Sequence, residues 1–439
     1  MKTLSLLLAL STTLTFAQTR NVTTLQVPGA GQPCRIDPGG VSVLPSGRFV
    51  TPAGQTVRIT RGAFGLKLSP DGRKAVVLHN GVVTVLDAQN PENALRLPSY
   101  DETIPAVVKD ASFLGVAIAP DSRTAYLSGG DKGTVVRIDL ETGRKTGEIR
   151  LDTLGFGDSF TSDLILDAAG TELLVLDRAN FRLVRVDLKT ERVTASVRVG
   201  RIPFGIALSP DGRYAFVANV GQYAYPLVPG VTPQNGDSLM LLFPPYGVPS
   251  REAEGGVTVN GRKIPGLGKP NVPEAMSVWT VDLTTNQVVD RFKTGHQVGE
   301  FIEGAEIVGG SSPNSIAVGS RYAFVSNATN DLISVIDWKA HRLLADIKLK
   351  IHPKLDRYRG LFPFGLTLSR DEKTLYVALL GFNAVAVVDV PTRRVRGLIP
   401  TGWGTTRVVL SPDRDGGPEK TLYVTSARGY GAGPNGGRG

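Results

Sequence analysis

One phrase recurs seven times in this chain of 439 residues, and it constrains the fold more than any other feature of the sequence. Each copy joins an apolar stretch to a turn such as Ser-Pro-Asp-Gly and then to a second apolar stretch. Proline fixes φ at the second turn position and glycine closes the turn, so each copy predicts two strands of a hairpin. The copies are LSPDGRKAVVL from Leu68, IAPDSRTAYL from Ile118, LDAAGTELLVL from Leu166, LSPDGRYAFV from Leu208, AVGSRYAFV from Ala317, LSRDEKTLYV from Leu368 and LSPDRDGGPEKTLYV from Leu410.

A third and a fourth strand complete the repeat. The third strand usually ends in Asp, as in VVRID to Asp139 and LVRVD to Asp187, and the fourth is more polar and alternating, as over residues 191–200. Successive copies begin about 40 to 50 residues apart, except for one longer interval. Four antiparallel strands at this period are typical of a propeller blade, so we predict an all-β, seven-bladed β-propeller.

The last copy provides only two strands, because the pattern stops at Val424. Residues 46–59 precede the first copy and have strand-turn-strand character. We therefore expect these N-terminal strands to pair with the C-terminal strands in one sheet. The last blade would then close the ring without an open edge strand.

The N-terminus has the pattern of an export signal, with Lys2, an apolar run over residues 4–10 and small residues before Gln18. This pattern predicts a signal peptide over residues 1–17 and export to the periplasm, the cell envelope or the outside. An extension (18–40), the propeller (41–425) and a glycine-rich tail (426–439) follow. No later apolar run reaches the length of a transmembrane segment.

Composition limits the chemistry that this chain can carry. A single Cys excludes a disulfide framework and cysteine-based metal clusters, and four scattered His show no metal-binding spacing. We therefore predict no metal and no cofactor. The formal net charge of +9 leaves polyanion binding open. However, the basic residues are spread along the chain rather than clustered, which favours a solvated basic surface.

Some phrases carry a family resemblance. SPDGR, the segment over 360–390 and LIPTGWGTT over 398–406 resemble the bacterial exported seven-bladed propellers of the YVTN or YncE type. That resemblance relates the chain to lactonase-like and cytochrome d1-like propellers. GYGAGPNGG, over 429–437, resembles the junction that leads into an alkaline-phosphatase-like phosphoesterase domain in many such proteins. The metal ligands and nucleophile of that domain are not among these residues, so we do not expect its activity here.

A long insertion, over residues 221–273, interrupts the fourth blade between its second and third strands. It contains a predicted hairpin with an Asn260-Gly261 turn and an apolar stretch, LMLLFPPYG, from Leu239. In a propeller this connection lies on the same face as the connections between blades, which we call the upper face. Two arrangements stay open, a lid over the channel mouth and a loop packed on the flank of the blade.

The upper-face connections provide the candidate binding residues. Amides, aromatic rings and arginines around a funnel suit a polar or anionic ligand, although Asn also favours tight turns. The repeated Asp residues at strand ends are expected to stabilise turns, and no catalytic residue is predicted. The candidates are His79, Arg178, Asn180, Phe204, Asn219, Asn314, Asn327, Phe364, Asn383 and Arg407.

The favoured function is an exported, non-catalytic propeller that binds an unknown ligand or partner protein on its upper face. A phosphoesterase is one candidate partner. The alternatives are a lactonase-like hydrolase and the propeller part of a truncated propeller-phosphoesterase fusion. A cluster of carboxylates and histidines at the channel mouth would distinguish a hydrolase from a binding scaffold.

Overall fold

A computed structural model describes residues 26–232, 234–239, 250–356, 358–411 and 421–431. The predicted signal peptide, the apolar stretch over 240–247 and residues 432–439 of the glycine-rich tail lie outside the described residues. Among the described residues, no helix has the length and apolar character needed to cross a bilayer.

The first half of the chain forms a small hairpin and three four-stranded antiparallel sheets. The repeated Ser-Pro-Asp-Gly type of turn connects the first two strands of each sheet, as predicted. The strands are β1 and β2 (Ser42–Val43, Phe49–Val50), β3 to β6 (Gly65–Leu68, Lys74–Leu78, Val83–Asp87, Ala94–Leu97), β7 to β10 (Val116–Ile118, Thr124–Ser128, Thr134–Asp139, Lys145–Arg150) and β11 to β14 (Thr161–Leu166, Glu172–Asp177, Arg182–Asp187, Arg192–Arg198).

The second half forms three further sheets of the same kind, a two-stranded sheet and two small hairpins. The strands are β15 and β16 (Pro203–Leu208, Tyr214–Asn219), the hairpin β17 and β18 (Gly256–Val259, Arg262–Pro265), β19 and β20 (Ser277–Asp282, Gln287–Lys293), the hairpin β21 and β22 (Phe301–Ile302, Ala305–Glu306), β23 to β25 (Pro313–Val318, Tyr322–Asn327, Leu332–Asp337), β26 and β27 (Arg342–Leu343, Ile347–Lys348), β28 to β31 (Pro363–Leu368, Thr374–Leu379, Ala384–Asp389, Arg394–Pro400) and β32 and β33 (Trp403–Leu410, Leu422–Gly429).

The first strands of the sheets are arranged in a ring. β3 contacts β7, β7 contacts β11, β11 contacts β15, β15 contacts β23 and β23 contacts β28. β32 contacts both β28 and β3, so the two-stranded sheet lies between the sixth four-stranded sheet and the first. The described residues therefore form an all-β propeller with six complete blades around a central channel. In the fifth blade, β26 and β27 share the place of the fourth strand.

The N-terminal segment differs from the predicted strand-turn-strand unit. β2 pairs with β1, and no strand is formed over residues 51–64. Pro52 has no N–H to donate, and Gly54 adopts a φ of 74°, so the chain cannot continue as a regular strand there. The segment nevertheless lies against the two-stranded sheet, because the N–H of Gly62 donates to the carbonyl of Ala427 at 2.7 Å.

The hydrophobic core lies between neighbouring blades. In one cluster Val76 and Leu78 of the first blade pack with Leu127 and Ile138 of the second, and all four are buried. Each such side chain contributes about 1.5 to 3 kcal/mol when it leaves water. Similar clusters join the other pairs of blades, so the ring is held by apolar contact between sheets as well as by hydrogen bonds within them.

The insertion in the fourth blade carries its own small structure. The strand order β15-β16-β19-β20 confirms that it separates the second and third strands. The hairpin of β17 and β18 has the predicted Asn260-Gly261 turn, with φ of 51° and 76°. The short helices α1 (Gly236–Leu239) and α2 (Arg251–Gly255) precede it, and Ser250 caps α2 by accepting the N–H of Ala253 at 3.0 Å.

Candidate functional site

The two ends of the propeller differ in the connections that they carry. Because neighbouring strands are antiparallel, the connections between blades and those between second and third strands meet at the upper face. The turns between first and second strands lie at the opposite, lower face. The upper face therefore carries the longer and more varied connections, including the insertion.

Four phenylalanines lie together at the start of the inner strands, and we call them the phenylalanine cluster. Phe64 is 5.9 Å from Phe113 and 5.9 Å from Phe364, between ring centroids. Phe204 completes the circuit, at 6.4 Å from Phe113 and 6.0 Å from Phe364. Their tilted and edge-to-face geometry is the favourable one for aromatic pairs. The rings come from four blades and are half-buried, so they line the upper end of the channel.

Arg407 lies next to the phenylalanine cluster, on β32. Its Nε donates to the carbonyl of Phe64 at 3.3 Å, and its Nη2 is 3.3 Å from Oδ2 of Asp163. The guanidinium also reaches Oγ of Ser315 at 3.4 Å. At Gly365, an added Cβ would lie 3.0 Å from Cδ of Arg407, so a glycine leaves room for this side chain. The channel therefore holds a half-buried ion pair directly beside an aromatic wall.

His79 lies at the end of the second strand of the first blade, as predicted, but its side chain is buried. The carbonyl of Arg61 accepts from Nδ1 at 3.3 Å, and Nε2 accepts from Thr84 Oγ1 at 3.0 Å. Burial lowers the pKa of His79 to about 4, against the effect of the Arg61 carbonyl, which raises it. The ring is therefore neutral at physiological pH and its nitrogens are used inside the blade.

Asn219 and Asn327 occupy equivalent places at the ends of second strands, and both are buried. Nδ2 of Asn219 donates to the carbonyl of Ser277 at 3.2 Å, on the neighbouring third strand. Nδ2 of Asn327 donates to Oγ of Ser334 at 3.0 Å, again on the third strand. Both amides therefore join strands within a blade.

Asn314 and Asn383 are buried as well and join neighbouring blades. Nδ2 of Asn314 donates to the carbonyl of Pro363 at 3.1 Å, and its Oδ1 accepts from Ser326 Oγ at 2.9 Å. Oδ1 of Asn383 accepts the N–H of Gly404 at 3.0 Å. The amides stabilise the contacts between blades rather than facing a ligand.

Arg178 and Asn180 lie at the upper rim of the third blade, away from the phenylalanine cluster. The guanidinium of Arg178 lies 4.9 Å from the ring centroid of Phe160, and desolvation lowers its pKa. Nδ2 of Asn180 donates to Oδ2 of Asp177 at 2.8 Å. Of the ten predicted residues, the structure therefore brings three together at the channel: Phe204, Phe364 and Arg407.

The repeated aspartates stabilise turns, as expected. Asp139 accepts the N–H groups of Glu141 and Thr142 at 3.0 and 2.9 Å, and these bonds, led by that of Thr142, lower its pKa to about 2. The pKa of Asp282 is also lowered to about 2, chiefly by the side-chain hydrogen bond from Arg213. In the part of the chain that the structure describes, no group of three or more His, Cys, Asp or Glu is arranged to hold a metal ion.

The described part of the insertion packs along the rim of the upper face. Arg201, between the third and fourth blades, donates from Nη1 to the carbonyls of Gln222 and Lys269 at 3.0 and 2.8 Å. Nε2 of Gln222 donates to the carbonyl of Val308 at 3.2 Å, in the connection to the fifth blade. For the described residues of the insertion, these contacts favour packing beside the fourth blade over a lid across the phenylalanine cluster.

A small cavity of about 240 Å³ opens on the upper rim between the fifth and sixth blades. Arg48 of the N-terminal segment, Lys348, Tyr358 and Phe382 are among its lining residues. The carboxylate of Asp331, also in the lining, accepts the N–H groups of the following connection and so orders it. Basic and aromatic side chains thus extend over the rim.

Exposed apolar side chains are concentrated on the upper face. The described residues include twelve exposed large apolar side chains, and ten of these lie in upper-face connections. The other two, Val289 and Leu343, lie on outer strands. The ten are Tyr100, Leu154, Phe156, Tyr225, Leu227, Val259, Phe301, Val308, Tyr358 and Phe362.

Sequence reasoning missed Phe64, Phe113 and Asp163, although the repeat contains a signal for them. Phe-Gly occurs at the beginning of the inner strand at Phe64 as it does at Phe204 and Phe364. One channel-facing position of the repeat is occupied by glycine in four copies and by larger polar residues in three. These are Gly65, Gly115, Gly205 and Gly365 on one side, and Asp163, Ser315 and Arg407 on the other.

Comparisons with known proteins address the fold. No protein-family model and no curated protein matches the chain. Among solved structures, the chain is similar to hydrazine synthase from Kuenenia stuttgartiensis, with a TM-score of 0.55 and 17% identity. The match covers 85% of this chain and 95% of that chain. At this identity the similarity supports the fold alone, so the chain is classed by its fold as a β-propeller.

Proposed function

We propose that this protein is an exported, non-catalytic β-propeller scaffold that binds a partner protein on its upper face. One observation carries the proposal: ten of the twelve exposed large apolar side chains among the described residues lie in upper-face connections. Scattered apolar residues are normal on a protein surface, but their concentration on one face favours an interaction surface.

The breadth of this surface favours a protein over a small ligand. The ten side chains lie in the insertion and in four connections between blades, from Tyr100 to Phe362. A partner protein covers about 800 Å² on each side of a standard interface, whereas a small ligand fills one concave pocket. Exposed aromatic side chains such as Phe301 would be the anchors of such an interface.

A second candidate, a small ligand at the phenylalanine cluster, rests on a different observation. Phe64, Phe204 and Phe364 are half-buried rings beside Arg407, so an apolar or planar molecule with an anionic group fits their chemistry. The two candidate functions are distinguished by the size of the bound molecule, which is a protein in the first and a small ligand in the second.

We infer further that the sheet of β32 and β33 is a seventh blade, completed by the N-terminal segment. Contacts of β32 with both β28 and β3 support this inference. So does the packing of Ile59 against the same buried apolar cluster that Val409 and Tyr423 contact. A seven-bladed ring also agrees with the resemblance to propellers of the YVTN or YncE type.

Export is proposed from the N-terminal pattern of Lys2, the apolar run and the small residues before Gln18. The mature protein would then start near Gln18. Mass spectrometry of the protein from its source cell should find that N-terminus outside the cytoplasm. Recovery of intact Met1 in the cytoplasmic fraction would contradict export.

Site-specific photo-crosslinking tests the proposed face. A benzophenone amino acid at Leu227 or at Phe301 probes the upper face, and the same group at Val289 or Leu343 is the matched control on outer strands. In the source cell envelope, we expect one adduct of defined mass from both upper positions and none from the controls. Equal labelling at all four positions, or none at the upper ones, would contradict the proposal.

A further inference from the structure

The lower half of the central channel contains a cavity of about 770 Å³. Its lining includes Ser69, Pro70 and Pro120, which belong to turns between first and second strands, so the cavity opens toward the lower face. It is therefore on the opposite side of the molecule from the surface proposed to bind a partner. Its volume is in the range of small-molecule sites.

The walls of this cavity are mainly apolar. Ile118 and Ile165, together with Val409 and Leu410, line it from three blades or sheets. An apolar, concave wall favours the burial of a hydrocarbon or aromatic body. The wall alone would not select a ligand of a particular charge.

The charged residues in the lining of the cavity are Lys67, Asp167 and Arg370. At the position of the repeat that corresponds to Lys67, the other copies have small or apolar residues or Thr, such as Ala117, Ile165 and Val409. The ammonium of Lys67 makes no hydrogen bond or ion pair with the described residues, although it lines the cavity. Desolvation by the surrounding strands lowers its pKa, while Asp163 opposes this effect and Arg407 adds to it.

The neighbouring carboxylates are already engaged. Asp163 is the ion-pair partner of Arg407, at 3.3 Å, and its Oδ1 accepts the N–H of Leu164 at 3.0 Å. Asp167, in the lining, accepts the N–H groups of Thr171 and Glu172 at 2.7 and 2.8 Å. The ammonium of Lys67 is thus exposed within the cavity and without a partner among the described residues, so it can pair with an acidic group that enters the cavity.

We propose that the lower half of the channel is a binding site for a free organic anion with an apolar body, whose carboxylate pairs with Lys67. The apolar body lies against the walls of the cavity, and the acidic group reaches inward to the ammonium. A ligand of about 10 to 20 heavy atoms matches a cavity of this size. The site does not depend on the proposed upper-face function.

Titration calorimetry with decanoate tests this proposal on the full-length mature protein. We expect 1:1 binding of decanoate, at least about tenfold weaker binding by Lys67→Met, and binding within about threefold of wild type by Lys67→Arg. Lys109→Met, which removes an exposed lysine from an upper-face connection, is the matched control and should bind as wild type does. Circular dichroism melts show whether each variant is folded.

Decanol provides the neutral comparison, because it has the same chain without the charge. It should bind wild type at least about tenfold more weakly than decanoate does, and Lys67→Met should not change its affinity. Equal decanoate affinity of wild type and a folded Lys67→Met protein would overturn the proposal. So would equal affinity of wild type for decanol and decanoate, or the absence of decanoate binding to wild type.

Discussion

Asp177 and Arg182 form an ion pair that is completely enclosed in the third blade. Nε of Arg182 lies 2.8 Å from Oδ2 of Asp177, and their side chains are 1% and 0% exposed. Nη2 of Arg182 also donates to the carbonyl of Leu151 at 2.8 Å and to Oγ of Ser159 at 3.1 Å. Such a pair is stable only while both charges and their hydrogen bonds are present.

Asp177→Ala should therefore destabilise the protein by about 3 to 5 kcal/mol, because it leaves the buried guanidinium without its counter-charge. Asp187→Ala is the matched control from the same blade. Oδ1 of Asp187 accepts from the N–H and from the Oγ–H of Thr190, both at 2.7 Å, in a solvent-accessible turn, so Asp187→Ala should cost much less than Asp177→Ala. Urea unfolding measures the free energy of unfolding of both variants. Equal losses would show that the buried ion pair stabilises the protein no more than the exposed turn does.

His79 predicts a defined acid sensitivity. Its pKa is lowered from 6.5 to about 4 by burial, so the unfolded chain takes up a proton at a higher pH than the folded protein does. The contribution of neutral His79 to the free energy of unfolding is fully present above pH 6.5 and is lost as the pH falls toward 4. The loss amounts to about 2 to 3 kcal/mol at pH 4.5.

His79→Gln should remove this part of the pH dependence, since glutamine can occupy the hydrogen bonds without titrating. The measurement is the free energy of unfolding at pH 7 and at pH 4.5 for wild type, His79→Gln and His352→Gln, a histidine on the surface. Wild type and His352→Gln should lose more stability than His79→Gln between the two values. An identical loss in all three proteins would show that other groups account for the acid sensitivity.

At the scale of elements, local turn chemistry explains why the strands were predictable. Pro70 and Gly72 shape the first repeated turn, and Asn260 with Gly261 shapes the hairpin of the insertion, all through backbone preferences of the residues themselves. The strand order of each complete blade follows, because short turns allow only antiparallel neighbours. Of the strand-turn-strand unit expected over 46–59, only the short strand Phe49–Val50 forms, because Pro52 and Gly54 interrupt the chain after it.

The N-terminal segment should still stabilise the ring. Ile59 packs against a buried apolar cluster that Val409 and Tyr423 also contact. Ile59→Asp therefore replaces an apolar contact with a carboxylate and should cost about 2 kcal/mol. Gln55→Asp, at an exposed position of the same segment, should change the unfolding midpoint little. Deletion of residues 18–60 should lower the melting temperature and promote aggregation; a deletion variant that melts as wild type does would refute the closure of the ring by this segment.

The insertion should be dispensable for the propeller but not for binding. Asn219 and Ser277 are paired neighbours on β16 and β19, so a short Gly-Ser linker can replace residues 224–272. We expect the shortened protein to keep its all-β circular dichroism spectrum and a cooperative melt. Since Tyr225, Leu227 and Val259 are removed, upper-face crosslinking at Phe301 should fall. Unchanged crosslinking would exclude the insertion from the interface, and loss of cooperative folding would make it part of the core.

At the scale of the whole molecule, the site was harder to predict than the fold. Arg407 and Asp163 meet across the channel although they are far apart in sequence, and only closure of the ring brings them together. Conversely, His79, Asn219 and Asn327 are near the upper face, but their side chains turn into the blades. A sequence repeat predicts which strands form. Whether a polar side chain at a strand end points to solvent or into the blade depends on the neighbouring strand and blade.

The concentration of apolar side chains on one face is also a property of the assembled ring. Leu227 is 77% exposed and Phe301 is 72% exposed, and they come from the fourth blade and from the connection that follows it. Neither residue is unusual in its local sequence. Their common face emerges only because every connection between blades ends on the same side of the propeller.

The affinity for the partner crosslinked at Phe301 tests the central claim most directly. The dissociation constant should be measured for wild type, for the Leu227→Ser/Phe301→Ser protein and for Val289→Ser/Leu343→Ser, which changes two exposed residues of outer strands. We predict that the upper-face substitutions weaken binding at least about tenfold, while the control stays within about twofold of wild type. Unchanged affinity in the upper-face variant, or an equal loss in the control, would contradict a partner-binding upper face.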